Sequence, residues 1–452
     1  MRAASPPGGQ SGGRAPAGGV VPGGRPGEPP TPLLLPFLLY FSLILLLPVS
    51  ANLTKAVLAA VVAVAAALLI VRRGLHLSRS TLAVFTLMQC TGLLWILYGA
   101  FGNTPGWVFS LMVYVIWPAF YLITFTQFVS SRRVYGVVRN LMILGLGLIG
   151  LFTLYFVLYN FGVVPATPLL KLQFGQGIAR YSGYTALRLY SISTMIFLIP
   201  YGVAKLLYPS PGTGRGRFWL TALAVVLGSC AVLFTGRRAA LLTVGLSVFI
   251  ALVFGQFSPR PLRSGAWRRV AACLAALVLL GAVSAGLPAS SRFSALTLAT
   301  QVQRSLFDPG QTADDVVRFE QANSLIDGWV RRPLVGAGLG ASSGYVRSER
   351  TWNYELQYHL HLFQMGVLGV FLYSLGFAWI YRNGLNLVRL GGDPGSEMIA
   401  LLTGLTCFLL ANATNPYLQA YGNLWTVFLP VAVINLMKLE QTPRRPALTP
   451  GR

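Results

Sequence analysis

Acidic residues are the scarcest chemistry in this chain: 11 Asp and Glu stand against 35 Lys and Arg in 452 residues. Charge of either sign is thin, at 10% of residues, where soluble domains run nearer a quarter. With 54% of residues hydrophobic, this excludes an ordinary cytosolic enzyme and a disordered protein. Cysteine is scarce too. Cys90, Cys230, Cys273 and Cys407 fall far apart in apolar runs, with no metal-ligand spacing, and read as small buried hydrophobes. No internal repeat is visible, and ionisable residues are nearly absent from the centres of the apolar runs. Both absences argue against a transporter built from repeated halves around a midplane site.

What the chain does have is long apolar runs. They are continuous, which excludes the short alternating segments of a β-barrel. The fold class they imply is an all-α polytopic membrane protein of about twelve transmembrane helices. The expected spans are roughly 33–50, 53–71, 80–101, 107–129, 139–161, 186–208, 217–234, 238–256, 268–287, 356–381, 397–412 and 421–438. Residues 1–31 are rich in Gly, Pro and Ser and form a disordered cytoplasmic tail in this reading. Residues 32–287 hold the first nine spans, 288–355 a long loop, 356–438 the last three spans, and 439–452 a second cytoplasmic tail.

The net charge of +24 could suggest nucleic acid, but its distribution follows membrane orientation instead. Arg72, Arg73 and Arg79 follow the second span, and Arg132, Arg133 and Arg139 the fourth. Lys205, Arg215 and Arg217 surround the sixth-to-seventh turn, and Arg260, Arg263, Arg268 and Arg269 follow the eighth. These loops alternate, so all fall on the cytoplasmic side together with both termini. No nucleic-acid partner is expected; membrane lipids are.

The opposite side carries the unexplained residues. A loop of nearly seventy residues in a compact membrane protein usually has a function of its own. Residues 313–332 predict a helix inside it, with Phe319, Ala322, Leu325, Ile326, Trp329 and Val330 on one stripe and Glu320, Ser324, Asp327 and Arg331 opposite. Arg318 projects with Ala322, Leu325 and Trp329, where a guanidinium needs an anion or a carboxylate. A snorkelling Arg, or a local pair with Asp314 or Asp315, is the plainer alternative.

Arg237 and Arg238 open the eighth span against the positive-inside bias and at the unfavourable end of the helix dipole. Helix amides and Arg forks both suit phosphate, whether of a ligand or of a lipid headgroup. Arg180 and Arg188, before or at the sixth span, are candidates for the same patch or for interfacial anchoring. Pro333-Leu-Val-Gly-Ala-Gly-Leu-Gly340 lacks the strand-turn-helix context of a dinucleotide site and reads as a tight loop against a neighbouring helix or ligand. Glu355, at the start of the tenth span, is a candidate general base, with His359 one helical turn on as its partner. A carboxylate complementing a helix dipole, and packed histidines at 359 and 361, are the alternatives.

At these residues the chain resembles the O-antigen ligase/polymerase superfamily of WaaL-like ligases and Wzy-like polymerases. The resemblance runs from about residue 230 to 380. Thr235-Gly-Arg-Arg-Ala-Ala240 resembles the family's Thr-Gly-Ser-Arg-Gly-Ala element, with Arg238 on its arginine. Arg318 followed by Pro333-Leu-Val-Gly-Ala-Gly338 resembles the second arginine and its "PLLGVG" loop. Glu355 through Gly366 and Gly369 resembles the last element, and Arg180-x-x-Gly183 an upstream arginine element. Two departures stand out. Arg237 replaces the family serine, and Glu355-Leu356 replaces a His-Asn pair that ligases typically carry.

The resemblance implies an inner-membrane glycosyltransferase acting at the periplasmic face on a glycan carried by undecaprenyl diphosphate. Arg238 and Arg318, with Arg237 and Arg180, would bind the donor diphosphate, and Glu355, supported by His359, would deprotonate the acceptor. No cofactor and no metal is implied. The carboxylate at 355 favours a polymerase joining repeat units, with a chain-length regulator as a possible partner; a ligase transferring finished polymer to lipid A-core is the alternative.

Overall fold

A computed structural model describes residues 28–160, 162–167, 177–181, 184–188, 191–235, 237–259, 313–346 and 349–441, with Ala271 and Ala275. Helices carry nearly all of it. They are α1 (Thr31–Leu46), α2 (Asn52–Arg73), α3 (Arg79–Phe101), α4 (Trp107–Leu111), α5 (Trp117–Phe128), α6 (Arg132–Asn160), α7 (Ile192–Leu207), α8 (Arg215–Thr235), α9 (Arg238–Gly255), α10 (Ala313–Val330), α11 (Gln357–Leu390), α12 (Gly392–Asn412) and α13 (Trp425–Gln441). Among the described residues, 8 helices are long and apolar enough to cross a membrane, and shorter apolar helices cover Thr31–Leu46, Ile192–Leu207 and Ala239–Gly255. The chain is a polytopic helical membrane protein. Every expected span has its helix except 268–287, which lies outside the described residues apart from Ala271 and Ala275. Residues 1–27, 288–312 and 442–452 lie outside them as well.

Several elements depart from expectation, each for a physical reason. The expected span 107–129 is interrupted: α4 and α5 are joined by a π-helical turn, Met112–Ile116, in which Trp117 N–H reaches back to Met112 O. Pro118 follows directly and has no N–H to donate, so the ladder is re-registered before it. The expected sixth span begins late. Residues 184–188 form a strand, Tyr184–Arg188 (β2), antiparallel to Gly177–Tyr181 (β1), with Arg180 opposite Thr185. The chain is therefore not wholly α. Apolar composition does not separate a short interfacial hairpin from a helix start.

In α10 the helix is where the periodicity puts it, but its buried face is rotated from the expected stripe. Gln321 and Leu325 are fully buried, whereas Phe319, Ile326 and Val330 are exposed. Arg318 does lie on the packed side.

Helix α11 carries a break that positions the loop before it. Gly366 has φ +62° and ψ −176°, so the helical ladder fails there. The Pro333–Gly340 loop fills the gap with its own backbone. Ala337 N–H donates to Phe363 O at 2.8 Å and Gly338 N–H to Gln364 O at 2.9 Å. In return Val367 N–H donates to Pro333 O and Leu368 N–H to Leu334 O. Groups orphaned by the break are thus satisfied. The approach requires glycine: a Cβ on Gly336 would lie 2.6 Å from the Gln364 carbonyl carbon.

Helix ends gather at two opposite caps. At one, Arg132 meets Glu440, Asn435 Oδ1 accepts from Ser78 N–H, and Lys205 and Arg139 meet Glu397. At the other, Tyr421 OH donates to Asn52, Thr104 to Leu339 O, and Tyr358 to Leu409 O. Segments bearing Arg79, Arg132, Arg139 and Lys205, which the charge pattern assigned to one side, share the first cap. Between the caps lies an aromatic core, in which Phe41 and Phe197 meet Trp425 edge-on and Phe37 stacks on Phe128.

Candidate functional site

The second cap brings together three of the residues singled out from sequence, Arg237, Arg318 and Glu355. The long loop supplies two of them. In α10, the face bearing Arg318, Gln321 and Leu325 packs on the irregular approach to α11. Tyr354 and Leu356 point inward into a cluster with Leu325, Ala341, Leu360 and Phe363. Tyr354 is anchored further, its hydroxyl accepting from Ser343 N–H at 2.6 Å. Glu355, between these two anchors, turns the other way. Its N–H donates to Gln321 Oε1 at 3.1 Å, and its Oε2 accepts from Arg318 Nε–H at 2.9 Å. Asp315 Oδ1 lies 3.8 Å from Arg318 Nη1. Arg318 therefore has the carboxylate partner its placement demanded, and that partner is the candidate base.

Arg237 arrives from another part of the chain. It is the residue before α9, in extended conformation, and its carbonyl accepts from Leu241 N–H. Among the described residues no carboxylate lies within ion-pair distance of it. Its Nη1 donates instead to Tyr417 OH at 3.5 Å, a long contact. Tyr417 sits in the 3-10 turn Tyr417–Gln419 between α12 and α13. Burial raises its hydroxyl above the ordinary tyrosine value. Arg237 then lowers it, Glu355 raises it, and Arg318 lowers it again. The hydroxyl thus lies within electrostatic range of both arginines and the carboxylate, and in direct, if long, contact with Arg237. Tyr417 carried no signal in the sequence beyond standing in a short polar turn after Asn415-Pro416.

Arg238 is the first residue of α9 and Arg180 lies in β1, with β2 against α8. Their side chains, like that of Arg188, lie outside what the structure describes, so only their backbone positions are placed. The expected pairing of Glu355 with His359 rested on a shared helix face. That spacing does not apply, because α11 begins at Gln357 and Glu355 precedes it. Among the described residues the buried His359 Nδ1 has no hydrogen-bond partner. His361 is held by Tyr114 OH at 2.9 Å and Gln357 Nε2 at 2.7 Å, as a packed histidine. Among the described residues no group of His, Cys, Asp and Glu could hold a metal ion.

Chemically, the arrangement offers two guanidiniums, a carboxylate and a neutral phenol at one end of a helical bundle. Guanidinium forks bind phosphate oxygens, and a carboxylate can take a proton from a hydroxyl. No protein-family model matches the chain, and no curated protein matches it.

Proposed function

We propose that the protein is an inner-membrane polysaccharide polymerase that joins repeat units carried on undecaprenyl diphosphate at the periplasmic face. The observation that supports it best is the convergence of Arg237, Arg318, Glu355 and Tyr417 on the cap opposite the Lys/Arg-rich loops. By the positive-inside rule that cap faces away from the cytoplasm. No nucleotide sugar is present there, so a glycosyl donor must carry its own leaving group. Diphosphate on a lipid is such a group, and arginines at the membrane surface suit it.

The reaction is a glycosyl transfer. The acceptor hydroxyl oxygen of one lipid-linked repeat attacks the anomeric carbon of another. The anomeric C–O bond to diphosphate breaks, and undecaprenyl diphosphate leaves with the bonding pair. Glu355 takes the hydroxyl proton, and Arg318, Arg237 and Arg238 stabilise the charge growing on the diphosphate. In this reading Arg180, on the hairpin whose second strand packs against α8, belongs to the same diphosphate patch.

The test is the sizing of lipid-linked and surface glycans in a host deleted for the gene. Loss of long chains, with single repeats still present, is the expected result. Long chains accumulating on undecaprenyl diphosphate over a bare acceptor would identify a ligase instead. Repeats stranded on the cytoplasmic leaflet would make it a transporter.

A further inference from the structure

Part of the long loop before α11 packs down among the spanning helices. Helix α10 runs alongside the start of α11 in the same direction: Gln321 meets Glu355, Gly328 lies against the Phe363 ring, and Pro333 O accepts from Val367 N–H. The chain then climbs back. Leu339 N–H donates to Trp95 O, Gly340 O accepts from Gly106 N–H, and Ser343 N–H donates to Tyr354 OH. It enters and leaves by the second cap, and its lowest point is at Leu334 and Val335.

Two helices set the height of that point. Trp95 Nε1–H donates to Val335 O at 2.7 Å, and α3 runs about 24 Å from the exposed Arg79 to Trp95. Helix α11 runs about 22 Å from Val367 to the exposed Arg382. Exposed arginines on spanning helices stay near the edge of the hydrocarbon, whose core is about 30 Å thick. Tilt only shortens these heights. Leu334 and Val335 therefore lie at membrane depth, in the half of the core nearer the second cap.

The residues there suit a bilayer. Leu334 is 69% exposed, Val330 63% and Val335 41%, and they continue the exposed apolar surface of Val367, Leu368 and Phe371 on α11. Non-helical backbone at this depth has no water to bond and must be satisfied by protein. The N–H groups of Gly336, Ala337, Gly338 and Leu339 donate to the carbonyls of Arg332, Phe363, Gln364 and Trp95. Arg331 and Arg332 are exposed beside this apolar surface, on the side of the second cap, within snorkelling reach of lipid phosphates.

We propose that the end of α10 and the Pro333–Gly340 loop form a re-entrant element immersed in the leaflet at the second cap. Val330, Leu334 and Val335 lie against lipid acyl chains, and Arg331 and Arg332 meet lipid phosphates. The partner is the bilayer itself, and the inference does not depend on the transferase reading.

The test is the depth of single nitroxides on the full chain in nanodiscs of phosphatidylcholine and phosphatidylglycerol. The four native cysteines are replaced by alanine, and labels are introduced through Phe319→Cys, Val330→Cys and Leu334→Cys. Access to oxygen, which concentrates among acyl chains, is compared with access to a water-soluble nickel chelate. Phe319 lies about 16 Å back up α10 from Val330. The oxygen-to-chelate ratio is expected to be low at 319, higher at 330 and highest at 334. Chelate access at 334 equal to that at 319 would put the loop in water. A label at 334 closed to both reagents would mean that protein, not lipid, covers the face. A high ratio at all three positions would lay α10 flat on the bilayer. Each of these results overturns the proposal. Melting temperatures within a few degrees of the parent establish folding, and Val335→Cys repeats the deepest reading if Leu334→Cys does not fold.

Discussion

Single side chains at the second cap carry the chemistry, and their substitution separates roles. Arg318→Ala removes the Arg318–Glu355 ion pair and one of the proposed phosphate ligands. Chain extension in a complemented deletion host is expected to fall at least about a hundredfold, the order seen when a charge-stabilising donor is removed from an active site. Glu355→Gln keeps shape and is expected to abolish extension while the protein level in the membrane is unchanged. Full activity in either variant would remove that residue from the mechanism. Tyr417→Phe deletes one long hydrogen bond to a guanidinium, so a loss of about fivefold in turnover is expected. Because burial holds the Tyr417 hydroxyl above its usual value, it stays neutral through neutral and mildly alkaline pH. The pH–rate profile of Tyr417→Phe should therefore keep the wild-type alkaline limb; loss of that limb would assign Tyr417 a titrating role.

The elements that hold these side chains have their own weak points. Gly366 lies in a backbone region that only glycine occupies readily, and the Pro333–Gly340 loop is hydrogen-bonded to the break it makes. Gly366→Ala is expected to destabilise by about 1–3 kcal/mol from backbone strain alone, read as a lowered melting temperature in detergent. It should also reduce activity, because the same loop leads from α10 to the approach that carries Glu355. The sequence made this loop legible as a tight backbone approach, since closely spaced glycines have few other uses. What it did not disclose was the partner, a break in α11 that composition leaves hidden. The existence of α10 was legible from its periodicity, and so was the packed position of Arg318. Its exact buried face was not, because Gln321 is buried to hold Glu355, and a polar residue on a packed face looks like the solvent side of a helix. Tyr417 was invisible for a simpler reason: its partners lie just before α9, in α10 and on the approach to α11, and only the tertiary fold brings them near.

For the whole molecule, the two caps divide structural from functional charge. At the first cap Glu397 is buried, with Arg139 at 2.7 Å and Lys205 at 2.8 Å, and it accepts from the hydroxyls of Tyr135 and Tyr201. This network ties α6, α7 and α12. A buried charge within a helical bundle is tolerated only when so partnered. Glu397→Ala strands two cations and is expected to cost about 3–5 kcal/mol, seen as loss of folded protein from the membrane; undiminished yield and thermal stability would contradict a structural role. Sidedness is tested by cysteines introduced at Ser343 and Ser78, which lie near opposite caps. An impermeant thiol reagent applied to intact spheroplasts is expected to label the first and spare the second, and the reverse pattern would invert the proposed orientation.

Chain growth by the purified protein is the most direct test of the central claim. The full chain in nanodiscs would be given undecaprenyl-diphosphate-linked repeat units as its only substrate, with products sized by mass spectrometry. The account predicts a ladder of lengthened glycans, one undecaprenyl diphosphate released for each new linkage, and no ladder with Glu355→Gln. Repeats that stay single until a separate acceptor is added, and then move onto it, would contradict polymerase activity and place the chain among the ligases.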